Sequence, residues 1–199
     1  MAHNARAKAV NLLADAISPV KGAVTWHSRR GINNSLTFEF GKPRLEIREP
    51  GCSRRITSAR ARRRLERRLV FIHGDWHLWL FECEWELFCD GKLVATDRSQ
   101  PSVISKRIKL VDGQQFLDIE IAVENFGSEI TFDMGAKIRT RPTTGNDADQ
   151  WMLYTPTQGV LTYKGDGSIE IKKTMSQKGQ GRWRKSTSEY FDLFRPRAG

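Results

Sequence analysis

The stretch WHLWLFECEWELFC, Trp76 to Cys89, decides the fold: it holds fourteen residues with no Gly or Pro, and its aromatics, aliphatics and acids recur with a period of two. Alternation of this kind belongs to a β-strand, whose successive side chains point to opposite faces. Taken as one strand, it places Trp79, Phe81, Cys83, Trp85, Leu87 and Cys89 on one face. The other face begins apolar with Trp76, Leu78 and Leu80, turns acidic with Glu82, Glu84 and Glu86, and ends on Phe88. So apolar a strand belongs at the centre of a sheet, with Trp79, Phe81, Trp85 and Leu87 in the core.

The flanking segments continue in the same style. Asp90-Gly91 is a hairpin signal, and Lys92 to Thr96 is its return strand. Upstream, Leu69 to Ile72 is a strand, and Leu36 to Phe40 with Arg44 to Arg48 read as a hairpin across Gly41-Lys42-Pro43. Downstream come Phe116 to Val123, the hairpin of Ile130 to Met134 with Lys137 to Arg141, and then Trp151 to Thr155, Val160 to Tyr163 and Ser168 to Lys172. Two segments have helical spacing instead. Val10, Leu13, Ala14 and Ile17 follow an N-cap at Asn4, and Ile104, Ile108 and Val111 follow Ser99-Gln100-Pro101.

Leu36-Thr-Phe-Glu-Phe-Gly41 and Ile130-Thr-Phe-Asp-Met-Gly135 agree in chemistry position by position, and Trp76-His-Leu-Trp79 answers Trp151-Met-Leu-Tyr154 in the same order. This predicts two similar β units, about 36–97 and 130–172, with Phe38 and Phe132 at equivalent core positions. The expected fold is therefore all-β: an antiparallel barrel or closed sandwich built from the two units, with an N-terminal helix over about 4–17 and one short helix between them. A single β domain over about 1–173 would carry an Arg-rich insertion at about 53–68 and a flexible basic tail at 174–199.

The formal charge of +10 is unevenly spread. Arg54 to Arg68 contains eight arginines against Glu66, a local +7, and Lys172 to Gly199 has eight basic residues against Glu189 and Asp192, a local +6. What remains is −3, so the body is slightly acidic and the basicity is confined to two segments. No run of residues has the ~20 apolar positions of a membrane span, and the amino terminus lacks the apolar core of a signal peptide. With only Cys52, Cys83 and Cys89 in the chain, a disulfide framework is not expected. These features predict a soluble cytoplasmic protein with no membrane partner.

No motif in the chain assigns an activity. Glu82-Cys-Glu84-Trp-Glu86 is similar to the E-x-D-x-E signature of one family of β-sandwich glycosidases, with Glu84 where the signature has Asp. That resemblance implies a carbohydrate hydrolase in which Glu82, Glu84 and Glu86 supply the acid and base. A small-ligand-binding barrel is another alternative. His73 and His77 have the spacing of metal ligands on a helix, but in an extended chain they stand about 13 Å apart, so no metal is expected. No cofactor is expected either, since no phosphate-cradling glycine loop lies between a strand and a helix. The charge layout favours a non-enzymatic binding protein that recognises an acidic protein or a nucleic acid. Its anion-binding residues would be Arg60, Arg62, Arg63, Arg64, Arg67 and Arg68, with Arg182, Trp183 and Arg184 in the tail, where the indole is suited to stacking on a base.

Overall fold

The computed structural model describes residues 13–51, 58–122, 124–143, 148–156, 159–172 and 183–185. In chain order its strands begin with β1 (Thr25–Arg30), β2 (Leu36–Phe40), β3 (Arg44–Arg48), β4 (Leu69–His73), β5 (Trp76–Leu80), β6 (Cys83–Cys89) and β7 (Lys92–Thr96). They continue with β8 (Phe116–Ile121), β9 (Ser128–Phe132), β10 (Ala136–Pro142), β11 (Asp149–Thr155), β12 (Gly159–Lys164), β13 (Ile169–Lys172) and β14 (Trp183–Lys185). Residues 13–17 form a helical turn, α1, followed by α2 (Ala59–Leu65) and α3 (Pro101–Arg107). The chain is mostly β, and its sheets are antiparallel.

Contacts divide the chain into a larger unit, Met1–Gly41 with Asp75–Thr174, and a smaller one, Lys42–Gly74 with Met175–Gly199. The larger unit has two sheets, ordered β1-β2-β5-β11-β12-β13 and β7-β6-β10-β9-β8. Both orders are linear, and no closed barrel is found among the described residues. The sheets face each other across one core. Phe38 of β2 lies 6.4 Å from Phe132 of β9, and Phe40 of the same strand lies 5.5 Å from Phe116 of β8. Two buried polar ends are satisfied across this core: Trp151 Nε1 donates to Ser128 Oγ, and Tyr163 Oη donates to the Phe126 carbonyl.

The segment expected to be one central strand is two. It breaks at Phe81 and Glu82, whose N–H groups donate to the carbonyls of Gln150 and Asp149. β5 then belongs to the six-stranded sheet and β6 to the five-stranded one. Because the chain crosses between facing sheets, the parity of its core residues changes. Leu78 and Leu80 are buried before the crossing, and Cys83, Trp85 and Leu87 after it. Trp85 and Leu87 are therefore core, as expected, whereas Trp79 is half-buried and Phe81 is 39% exposed, on the outer side of the sheet. Glu82 lies in the crossing and does not share a strand face with Glu84 and Glu86.

Other hairpins form where turn chemistry marks them. At β6–β7 the turn residues Asp90 and Gly91 have φ 52° and 74°, as a two-residue hairpin loop requires. β9 pairs with β10, and β12 with β13. The expected hairpin of β2 with β3 does not form: β2 pairs with β1 and β5, while β3 pairs with β4 and β14. This departure separates β2–β3 from β9–β10, which do pair, and the topology does not show the repeat. In β8 a bulge between Phe116 and Asp118 turns Leu117 out to solvent and leaves Phe116 and Ile119 in the core. Val123 lies outside the described residues.

Candidate anion-binding site

The smaller unit gathers both basic segments of the sequence. It has seventeen basic and five acidic residues, a net charge of +12, and the larger unit has sixteen and eighteen, a net charge of −2. Its three-stranded sheet has the order β14-β3-β4, so a strand from the C-terminal segment pairs directly with one that precedes the arginine run. Trp183 stands opposite Arg48, Arg184 opposite Ile47 and Lys185 opposite Glu46. In the same unit Gly51 N–H donates to the Leu65 carbonyl and holds the end of α2.

The helix forms where Ala59, Ala61 and Leu65 supply helix propensity among arginines. Arg62 N–H donates to the Ser58 carbonyl and Glu66 N–H to that of Arg62, which extends the helical bonding to both ends of the run. On this frame Arg60 and Arg63 are three positions apart, the spacing that puts side chains on one helical face, and Arg67 follows in the bend just past the end of the helix. They line one cavity of about 450 Å³ together with Leu69. Three fixed positive charges at one concavity, each able to present a planar fork of N–H donors, are suited to phosphate or carboxylate oxygens.

The remaining predicted residues are placed differently. Arg68 forms an ion pair with Glu49, its Nε donating to Oε2 at 2.9 Å. Arg62 is exposed on α2, and Arg64 lies in the same helix. Trp183 and Arg184 are in β14, and Arg182 lies outside the described residues. Asn4, Cys52, Arg54 and Arg55 also lie outside them.

The glutamates of the central stretch are in the larger unit and have cations of their own. Arg98 Nη2 lies 2.6 Å from Glu84 Oε1, and Arg141 Nη2 lies 3.8 Å from Glu86 Oε2. On the next strands Lys137 and Arg139 both bind Glu129, at 2.6 and 2.8 Å. Burial raises the Glu129 carboxyl, but the hydrogen bonds from Lys137 and Arg139 outweigh it and hold the group below the usual range. A cleft of about 270 Å³ on this face is lined by Glu84, Glu86, Asp97, Arg98, Arg139 and Arg141, among others. Burial, then repulsion from Glu84, raises Asp97. The alternating acids and bases of β6, β10 and β9 make a charge-neutralised sheet surface.

His73 and His77 fall in different units, and each meets a glutamate: His73 Nε2 is 3.3 Å from Glu46 Oε2, and His77 Nδ1 is 2.9 Å from Glu39 Oε1. Among the described residues no group of three or more His, Cys, Asp or Glu is placed to hold a metal ion. No helix among them is long and apolar enough to cross a membrane.

Comparison with protein-family models, curated proteins and solved structures gives no match.

Proposed function

We propose that the protein is a non-enzymatic binding protein that recognises an acidic partner, a protein or a nucleic acid, through its smaller unit. The observation that supports this reading is the segregation of charge with fold: +12 on a unit that joins two basic segments over a hundred residues apart in sequence, and −2 on the rest. Arg60, Arg63 and Arg67, which line one cavity, are the principal anion contacts. A field of that sign concentrates polyanions and speeds their encounter, and forked guanidinium donors then hold individual oxygens.

The test uses the full chain and a variant with Arg60, Arg63 and Arg67 all changed to Ala, titrated with fluorescein-labelled oligothymidylate and with poly-glutamate. The variant should lose affinity for the probe that the wild type prefers and keep the wild-type melting temperature. A control with Lys106, Arg107, Lys137 and Arg139 changed to Ala should lose far less affinity. Equal losses in both variants would count against a site on the smaller unit, and a stronger response to poly-glutamate than to oligothymidylate would assign the partner as an acidic protein.

A further inference from the structure

The smaller unit also carries an apolar edge that anion binding alone does not use. Among the described residues its sheet ends on β4, which pairs with β3 in unbroken register from Leu69 opposite Arg48 to His73 opposite Arg44. Residues that stand opposite each other in an antiparallel pair share a face. Leu45 with Ile72 and Ile47 with Val70 therefore form one aliphatic strip across the two strands. Exposure grows along it toward the edge: Leu45 is buried at 7%, Ile47 is half-buried, and Ile72 and Val70 stand 43% and 55% exposed.

Natural sheets blunt their edges with lysine, proline or a bulge, because an edge strand offers its outward N–H and C=O groups to any further strand. β4 has none of these. Its sequence, Leu69-Val-Phe-Ile-His73, is rich in β-branched and aromatic residues and runs without a register shift. The opposite face of the same strand leads to the arginines, since Leu69 lines the cavity of about 450 Å³ with Arg60, Arg63 and Arg67. Glu46 and Glu49 lie against His73 and Arg68 instead, and among the described residues no acid lines that cavity. A strand laid beside β4 would thus meet two surfaces in alternation, aliphatic on the side of Val70 and Ile72 and cationic on the side of Leu69.

We propose that the acidic partner is a protein segment that joins β4 as an extended strand, with alternate side chains apolar and acidic. The apolar set packs on Val70 and Ile72, and the acidic set reaches Arg60, Arg63 and Arg67 across Leu69. Main-chain hydrogen bonds to the β4 edge supply affinity, and the two side-chain surfaces supply the choice of sequence. Charge selects the occupant: a unit of net +12 repels a second copy of itself and attracts an acidic strand. A nucleic acid has phosphates for the arginines but no aliphatic side chains for Val70 and Ile72 and no peptide groups for the edge. The proposal rests on the anion-binding reading of the smaller unit and narrows its partner to a protein.

Fluorescence anisotropy of the full chain tests it, with a labelled peptide of alternating Glu and Val as the probe and with oligoglutamate and oligothymidylate of equal charge for comparison. The alternating peptide should bind most tightly at a given salt concentration. In a strand the N–H groups of successive residues point to opposite edges. N-methylation of all the valines, or of all the glutamates, should therefore abolish binding in one case and spare it in the other. Val70→Lys adds a positive charge at an exposed position, yet it should weaken the alternating peptide about tenfold and leave oligoglutamate at least as tightly bound. The triple arginine variant should weaken both. Equal affinity for the alternating peptide and oligoglutamate, or an equal effect of the two methylations, would overturn the edge site and leave anion recognition by the arginines standing. A preference for oligothymidylate would assign the partner as a nucleic acid and overturn it too, and a wild type that binds none of the three would remove the anion-binding reading itself.

Discussion

Trp85 Nε1 donates a 2.9 Å hydrogen bond to the Asn34 carbonyl, which ties β6 of one sheet to the turn between β1 and β2 of the other. The indole is 2% exposed, so it both fills the core and satisfies a carbonyl that would otherwise lose its partner. Trp85→Ala should cost about 3 to 5 kcal/mol, the range for emptying a large aromatic site. Trp85→Phe should still cost about 1 to 3 kcal/mol, because it leaves the Asn34 carbonyl unpaired. Denaturant unfolding of the two variants checks both values, and a wild-type midpoint in either would contradict this packing.

The crossing between sheets at Phe81 and Glu82 makes adjacent residues very unequal. Leu80→Ala opens a cavity in the core and should cost about 2 to 5 kcal/mol. Phe81→Ala removes an exposed ring that packs edge-on to Trp79, and should cost about 1 kcal/mol. A single unbroken strand with the opposite core face would reverse that order, so the pair of melting curves decides between the two.

Burial pushes the Cys83 thiol from 9.0 up to about 12, with Asp97 adding to the shift. A raised acid pKa stabilises the fold below the unfolded value, and that contribution is lost as pH rises. Between about 9 and 12 the unfolded chain releases this proton while the folded chain retains it, so stability should fall by up to about 1.4 kcal/mol per pH unit. The slope should be shallower in Cys83→Ala. Under native conditions Cys83 should also escape alkylation by iodoacetamide, as peptide mapping would show.

Glu129 has the opposite sign. Its carboxyl is held below the usual range, so the stability it contributes is present above its unfolded value of 4.5 and is lost as pH falls through the folded one. Glu129→Gln should destabilise by no more than about 1 kcal/mol near neutrality, since the group is partly exposed and screened. The difference between wild type and variant should shrink as pH falls below 4.5 and vanish once the folded carboxyl is protonated. A difference that does not change with pH would assign the effect to packing.

Much of this fold was legible because its signals are local. Asp90-Gly91 marks a hairpin by itself, Pro101 starts a helix, and the alternation of Cys83 to Leu87 identifies a half-buried strand. The break at Phe81 was not legible, because the apolar residues on both sides let one period run through it. Only the demand that the two parts lie in facing sheets shifts the parity. The β2–β3 hairpin failed for a related reason: Gly41-Lys42-Pro43 permits a tight turn, but Leu36 to Phe40 finds β1 and β5 as neighbours on its two edges.

The candidate sites divide in the same way. The arginine cluster shows in composition, and the i, i+3 spacing of Arg60 and Arg63 places those two on one helical face, whereas Arg67 joins them from the bend after α2, which the spacing does not announce. That the C-terminal basic segment joins the same unit follows from the pairing of β14 with β3, which no local pattern announces. Glu39 and His77 are 38 residues apart and meet only because β2 and β5 are neighbours.

The salt dependence of polyanion binding bears most directly on the role of the smaller unit. If Arg60, Arg63 and Arg67 each neutralise one phosphate of oligothymidylate, the slope of log K against log salt should be shallower by about 2 in the triple alanine variant, at roughly 0.7 per contact for a single strand. The melting temperature should stay the same. An unchanged slope and affinity, or a wild type that binds neither oligothymidylate nor poly-glutamate at low salt, would contradict anion recognition by this unit.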